Sequence, residues 1–146
     1  MREPAPRRGL LLCRRLLWLG AALAAAAVLL LAARLTPDPL GHGTHTQLGL
    51  PPCGFRWLTD LPCPACGMTT AFAHGIRGNL VRSAVANPVG FVLFVLACLL
   101  VPFGLWAALR GWSLDVLIDR FSLHHWALLL AGSACLVWLG RIAAAL

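Results

Sequence analysis

Three long stretches without a charged residue dictate most of what this chain can become. Leu16 to Ala33 is eighteen residues without a charge, Val89 to Leu109 is twenty-one, and Trp126 to Gly140 is fifteen. About twenty apolar residues in a helix cross the hydrocarbon core of a bilayer. Within that core, only structures that satisfy their own backbone groups are stable. A soluble domain carries about 25% charged residues, whereas this chain of 146 has 12% charged and 60% hydrophobic. The expected fold is an all-α integral membrane protein with about three transmembrane helices and one or two short interfacial helices. Its first partner is the lipid bilayer.

The boundaries follow from where charge, proline and glycine return. Residues 1–15 form a basic N-terminus and 16–35 the first transmembrane helix. A secretory signal has an apolar region of about 7–15 residues, so this longer run reads as an uncleaved anchor. Residues 36–66 are a cysteine- and histidine-bearing loop, rich in proline and glycine, where helix or strand is not expected. Residues 67–86 show apolar stripes at helical spacing (Met68, Phe72, Ile76, Leu80) but are too polar to span, which fits interfacial helices. Asn87-Pro88 reads as an N-cap and first helical residue, since the Asn oxygen accepts a free backbone N–H and proline has none to waste. An N-cap of this kind is worth about 1 kcal/mol. The second transmembrane helix then covers 87–109, with Pro102 placed to kink it; 110–125 is a connection, and 126–146 is the third span. Arg141 must reach the far interface, because an arginine at mid-bilayer costs about 2.5–3.5 kcal/mol.

Charge sets the orientation. All twelve basic residues are arginine, against five acids, for a net charge of +7. In a soluble protein that balance would suggest nucleic acid. Here Arg2, Arg7, Arg8, Arg14 and Arg15 crowd the first fifteen residues beside an apolar run, which is a membrane flank and no nucleic-acid site. The positive-inside rule puts this flank in the cytoplasm and the cysteine loop outside. An Ala-, Leu- and Arg-rich chain without lysine fits a GC-rich bacterial genome, so the expected location is a bacterial inner (cytoplasmic) membrane, crossed several times. No spanning segment holds an acid, which argues against a proton or cation pathway.

Only the loop cysteines are placed to carry chemistry. Cys13, Cys98 and Cys135 sit singly in or beside apolar helices, where cysteine behaves as a small hydrophobe. Cys53, Cys63 and Cys66 lie together, and three readings stand. Cys63 and Cys66, ahead of a helix start, would form a redox pair, because a helix N-terminus lowers a thiol's pKa and Gly67 would admit a partner's backbone. Cys63-x-x-Cys66 is also a zinc-knuckle spacing, with Cys53 as third thiolate and His42 or His45 completing a Cys3His site; zinc is then the cofactor. Third, an oxidising compartment would pair two of the three in a structural disulfide. Redox pairs normally sit on a thioredoxin-like fold with strands, and no strand pattern is present. The leading function is therefore an accessory, structural one, in which the cysteine-organised loop docks a membrane or periplasmic protein; thiol–disulfide exchange and zinc binding are the alternatives, and an enzyme is the less favoured class.

The segment Pro62-Cys63-Pro64-Ala65-Cys66-Gly67-Met68-Thr69-Thr70-Ala71-Phe72 carries a resemblance. Together with Pro51-Pro52-Cys53 and Asn87-Pro88-Val89-Gly90, it resembles a family of small bacterial membrane proteins catalogued as domain of unknown function 2752. The likeness covers about residues 42–100, with Cys-Pro-x-Cys-Gly-x-Thr as its most specific part. Many relatives have arginine where this chain has Thr70. The resemblance implies a helical membrane protein and supplies no activity.

Overall fold

The computed structural model describes residues 8–112 and 123–143. Arg2 and Arg7, and the connecting residues 113–122 with Asp115, Asp119 and Arg120, lie outside the described residues. All the described elements are helical. Three are long and apolar enough to cross a membrane: α1 (Arg8–Arg34), α5 (Pro88–Arg110) and α6 (Leu123–Ala143). The protein is an all-α, multi-pass membrane protein. Between the first two spans lie a 3-10 turn (Thr44–Leu48) and three short helices, α2 (Gly54–Thr59), α3 (Met68–Gly75) and α4 (Leu80–Ala86).

Two departures from the sequence reading have simple causes. Helix α1 starts at Arg8, about two turns before the uncharged run, because arginine is a good helix former. The uncharged run measures the lipid-buried part, not the helix. The loop, in turn, is not free of helix: α2 and the 3-10 turn stand in it. Pro51 and Pro52 bar helix before Cys53, and Asp60 at φ 56° ends α2 after six residues, too few to leave a periodic signal.

Helices α1 and α5 form the main pair. Lipid gives no hydrophobic drive between helices, so close approach of small residues has to supply the contact. Gly104 of α5 meets α1 so closely that an added Cβ would lie 3.1 Å from Ala22 and 3.3 Å from the Trp18 carbonyl. At that end Trp18 is buried and donates its indole N–H to the Trp112 carbonyl (3.0 Å), beneath a cluster with Phe103 and Trp106.

At the other end, α3 and α4 fold back on each other against α1 and the start of α5. Gly75 lies under the Phe94 ring, and Gly90 meets Ala71 and Met68. The Ser83 hydroxyl donates to the Ala71 carbonyl (2.7 Å) across the hairpin. Helix C-termini leave carbonyls without partners. Arg77 serves those of α1, donating to Ala33 (3.1 Å) and Ala32 (3.4 Å) while also reaching Ala73 (2.7 Å).

Asn87 joins the hairpin to α5. Its side-chain oxygen accepts from the Gly90 N–H (2.9 Å), with Pro88 as the first helical residue, as the Asn-Pro pair predicts. Its amide N–H2 does more, donating to the carbonyls of Cys66 (3.0 Å) and Pro64 (3.2 Å). Asn87 is 1% exposed, so its amide is removed from water and both of its donors are spent on these carbonyls. Asn87→Ala is therefore expected to cost about 2–3 kcal/mol, the cap plus one buried and one part-buried hydrogen bond, against about 1 kcal/mol for a cap alone. Thermal unfolding in detergent checks this, with Asn87→Asp retaining the capping oxygen; a loss no larger than a cap's would show that the amide donors contribute nothing.

Candidate functional site

The sequence from Cys53 to Cys66 is folded into two adjoining turns that aim three thiols inward. Cys53 sits at the N-cap of α2, and its carbonyl accepts the Trp57 N–H (2.9 Å). Cys63-Pro64-Ala65-Cys66 is a turn closed by the Cys66 N–H on the Cys63 carbonyl (3.0 Å). The sulfurs of Cys53 and Cys63 are 3.3 Å apart, those of Cys63 and Cys66 also 3.3 Å, and all three lie within 4.8 Å of one another. Cys66 is buried and the other two are half-buried.

Three side chains from two elements, the start of α5 and α6, hold the backbone of this turn through its carbonyls. Asn87 takes those of Pro64 and Cys66, from the start of α5. From α6, the Trp138 indole N–H donates to the Pro62 carbonyl (2.8 Å) and Arg141 donates to the Cys66 carbonyl (3.1 Å). The Phe55 ring of α2 meets Trp138 edge-on at 6.3 Å. The sequence places Arg141 at the far interface; with Trp138 it also pins the cysteine turn. Their spacing of three, which puts them on one helix face, was the only available signal.

Gly67 follows with φ 85°, a conformation that favours glycine. A Cβ there would come within 2.6 Å of the Gly41 carbonyl oxygen and 2.5 Å of that of Ala86. The close backbone approach expected for a redox partner is thus made within the chain. Helix α3 starts only at Met68, so Cys63 stands outside its first turn.

His42 and His45 line the same cavity as the cysteines, without joining the group of three sulfurs. His45 donates its Nε2–H to the Pro51 carbonyl (3.2 Å). Burial, and then the Arg56 charge, lower the pKa of His42, which keeps its imidazole neutral as metal ligation requires. The cavity has a volume of about 610 Å³ and is also bordered by Arg56, Trp57 and Asp60. Thr70 is fully buried and shares a hydrogen bond with the Thr44 hydroxyl (2.8 Å), which ties the histidine-bearing loop to α3. His74 belongs to no site; its Nδ1 is buried without a partner among the described residues.

Burial pushes the Cys63 thiol up to about 12, with the neighbouring Cys53 and Cys66 thiols adding to the effect. The backbone N–H of Arg56, and then the Cys63 thiol, hold Cys53 below its ordinary value. Three adjacent thiols cannot all ionise unless a cation joins them, because each thiolate raises the cost of the next. A bound ion would supply that charge and release the protons.

The fold and site thus define a polytopic helical membrane protein with a three-cysteine cluster at one end of its bundle. Residues 53–101 match the family described as Protein of unknown function (DUF2752), the family that the cysteine motif resembles. The match begins at Cys53 and takes in the cysteine turns, the α3–α4 hairpin and the first half of α5; the segment with His42 and His45 precedes it. No curated protein and no solved structure matches the chain.

The order of thiol reactivity follows from these environments. In reduced, metal-free protein at pH 8, iodoacetamide is expected to modify Cys53 before Cys63, read by peptide mass spectrometry over time. Faster labelling of Cys63 would reinstate it as the nucleophile of a redox pair.

Proposed function

We propose that this protein is an accessory membrane protein whose Cys53, Cys63 and Cys66 hold a thiophilic metal ion, zinc in the first instance, and that the ion organises the loop. One observation carries the reading: three sulfurs from two turns converge within 4.8 Å. Tetrahedral zinc at about 2.3 Å from each sulfur sets them about 3.8 Å apart, a small adjustment from the present spacing. Thiolates favour zinc and copper(I) over harder ions. A structural disulfide would use two sulfurs and leave the third unexplained, although Cys63 stands close enough to serve either neighbour.

The accessory role follows from the same geometry. An ion shared by the α2 N-cap and the Cys63–Cys66 turn would cross-link two segments that few other contacts join. That would fix the surface which the loop offers to a membrane or periplasmic protein. Metal analysis of protein purified in detergent under reducing conditions tests this. Near one equivalent of zinc is expected, with Cys53→Ser, Cys63→Ser and Cys66→Ser each losing most of it. Metal-free protein with a mass deficit of two hydrogens would establish the disulfide instead.

The location proposed is the bacterial cytoplasmic membrane, with the N-terminus in the cytoplasm and the cysteine cluster outside. Support comes from the arginines of the first fifteen residues. The ends of α1 and α6 and the start of α5 share one end of the bundle with the cluster, as a three-span chain requires. Reporter fusions at Gly43 and Ser113 should give opposite readouts, extracytoplasmic at Gly43; a cytoplasmic signal there would reverse the orientation.

A further inference from the structure

We propose that the three-cysteine site is coordinatively open, and that its fourth position faces the cavity and takes a small thiol bearing a carboxylate. This rests on the metal reading of the three cysteines and goes beyond it to the ligand. Structural zinc sites are closed by four protein donors, while sites that exchange or activate ligands keep a position free. Here the chain supplies three sulfurs, and among the described residues no histidine or carboxylate joins them. His45 is engaged by the Pro51 carbonyl, and His42 stands on the cavity wall.

The space beside the sulfurs is far larger than a coordinated water needs. A water occupies about 30 Å³, and small-molecule pockets run from about 300 to 1,000 Å³; this cavity is about 610 Å³. Its wall chemistry narrows the class. A thiophilic ion already on three thiolates favours a fourth soft donor, so sulfur is preferred over oxygen. Among the described residues Arg56 is the only arginine on the wall; it is half-buried, three positions beyond Cys53. Guanidinium binds carboxylate in a two-pronged, charge-assisted contact. A ligand with a thiolate for the ion and a carboxylate for Arg56 uses both features. The step is ligand exchange: the thiol gives up its proton to solvent, its sulfur takes the position held by water, and no electron moves.

The test loads the reduced full-length protein with cobalt(II) and follows its absorption during titration with N-acetylcysteine. The thiolate-to-cobalt charge-transfer band is expected to rise by about one third, as three sulfurs become four, and the d–d bands to shift. Arg56→Gln should weaken that titration by about tenfold or more, the worth of a charge-assisted contact. Titration with 2-mercaptoethanol, which lacks the carboxylate, should be the same in both proteins. Unchanged bands on adding thiol, bands that vanish because the thiol strips the ion, or a His42→Ala spectrum that differs before any thiol is added would each overturn the proposal. An equal response of Arg56→Gln and unaltered protein to N-acetylcysteine would overturn the carboxylate assignment. A cobalt protein with no charge-transfer band at all would defeat the metal reading itself, and so is distinguishable from a closed site.

Discussion

The side chain of Asn87 is the contact on which the site end of the bundle depends. One amide group performs two tasks that pull in opposite directions along the chain. Its oxygen starts α5, and its nitrogen holds the carbonyls of Pro64 and Cys66. Both tasks need the buried setting, because a buried polar group without a partner is costly while a satisfied one fixes a single arrangement. The start of a membrane span and the geometry of the cysteine turn are thereby set by the same four heavy atoms of the side chain. No other residue type supplies an acceptor and a two-proton donor at that length, except glutamine one carbon further out.

Around Asn87 the bundle is assembled by close approach. Gly67, Gly75, Gly90 and Gly104 each stand where a Cβ would press on a neighbouring backbone or ring. Such contacts suit a lipid environment, where packing and hydrogen bonding carry association. Helix α6 follows a different rule. Its spanning part buries nothing within the described chain, and its described attachments are polar and aromatic, made by Trp138 and Arg141 to the cysteine turn and Phe55. The third span is therefore fastened mainly to the site, with a smaller contact to α5.

Much of this was legible in the sequence, and the rest was hidden for physical reasons. Uncharged runs revealed three spans because lipid excludes charge. Asn87-Pro88 revealed the start of α5 because the cap acts on its own next residues. The grouping of Cys53, Cys63 and Cys66 was visible, and so was their possible use as ligands. What could not be read was long-range pairing. Arg77 serves α1 carbonyls 44 and 45 positions away, a pairing that its local spacing does not reveal. Trp138 and Arg141 find their partners 76 and 75 positions back. Helix α2 was missed because its six residues owe their conformation to flanking prolines and the Asp60 turn rather than to periodicity. His42 and His45 have spacing that suits a ligand, but only the fold decides that they border the cavity without reaching the sulfurs.

The central claim is that this end of the bundle presents three sulfurs to one ion, held in place by side-chain donors from the start of α5 and from α6 on the carbonyls of the cysteine turn. X-ray absorption at the zinc edge of the purified, reduced protein reads that arrangement directly. The account predicts three sulfur neighbours at about 2.3 Å and one lighter atom. A shell of nitrogen and oxygen alone, or one with fewer than three sulfurs, would contradict it.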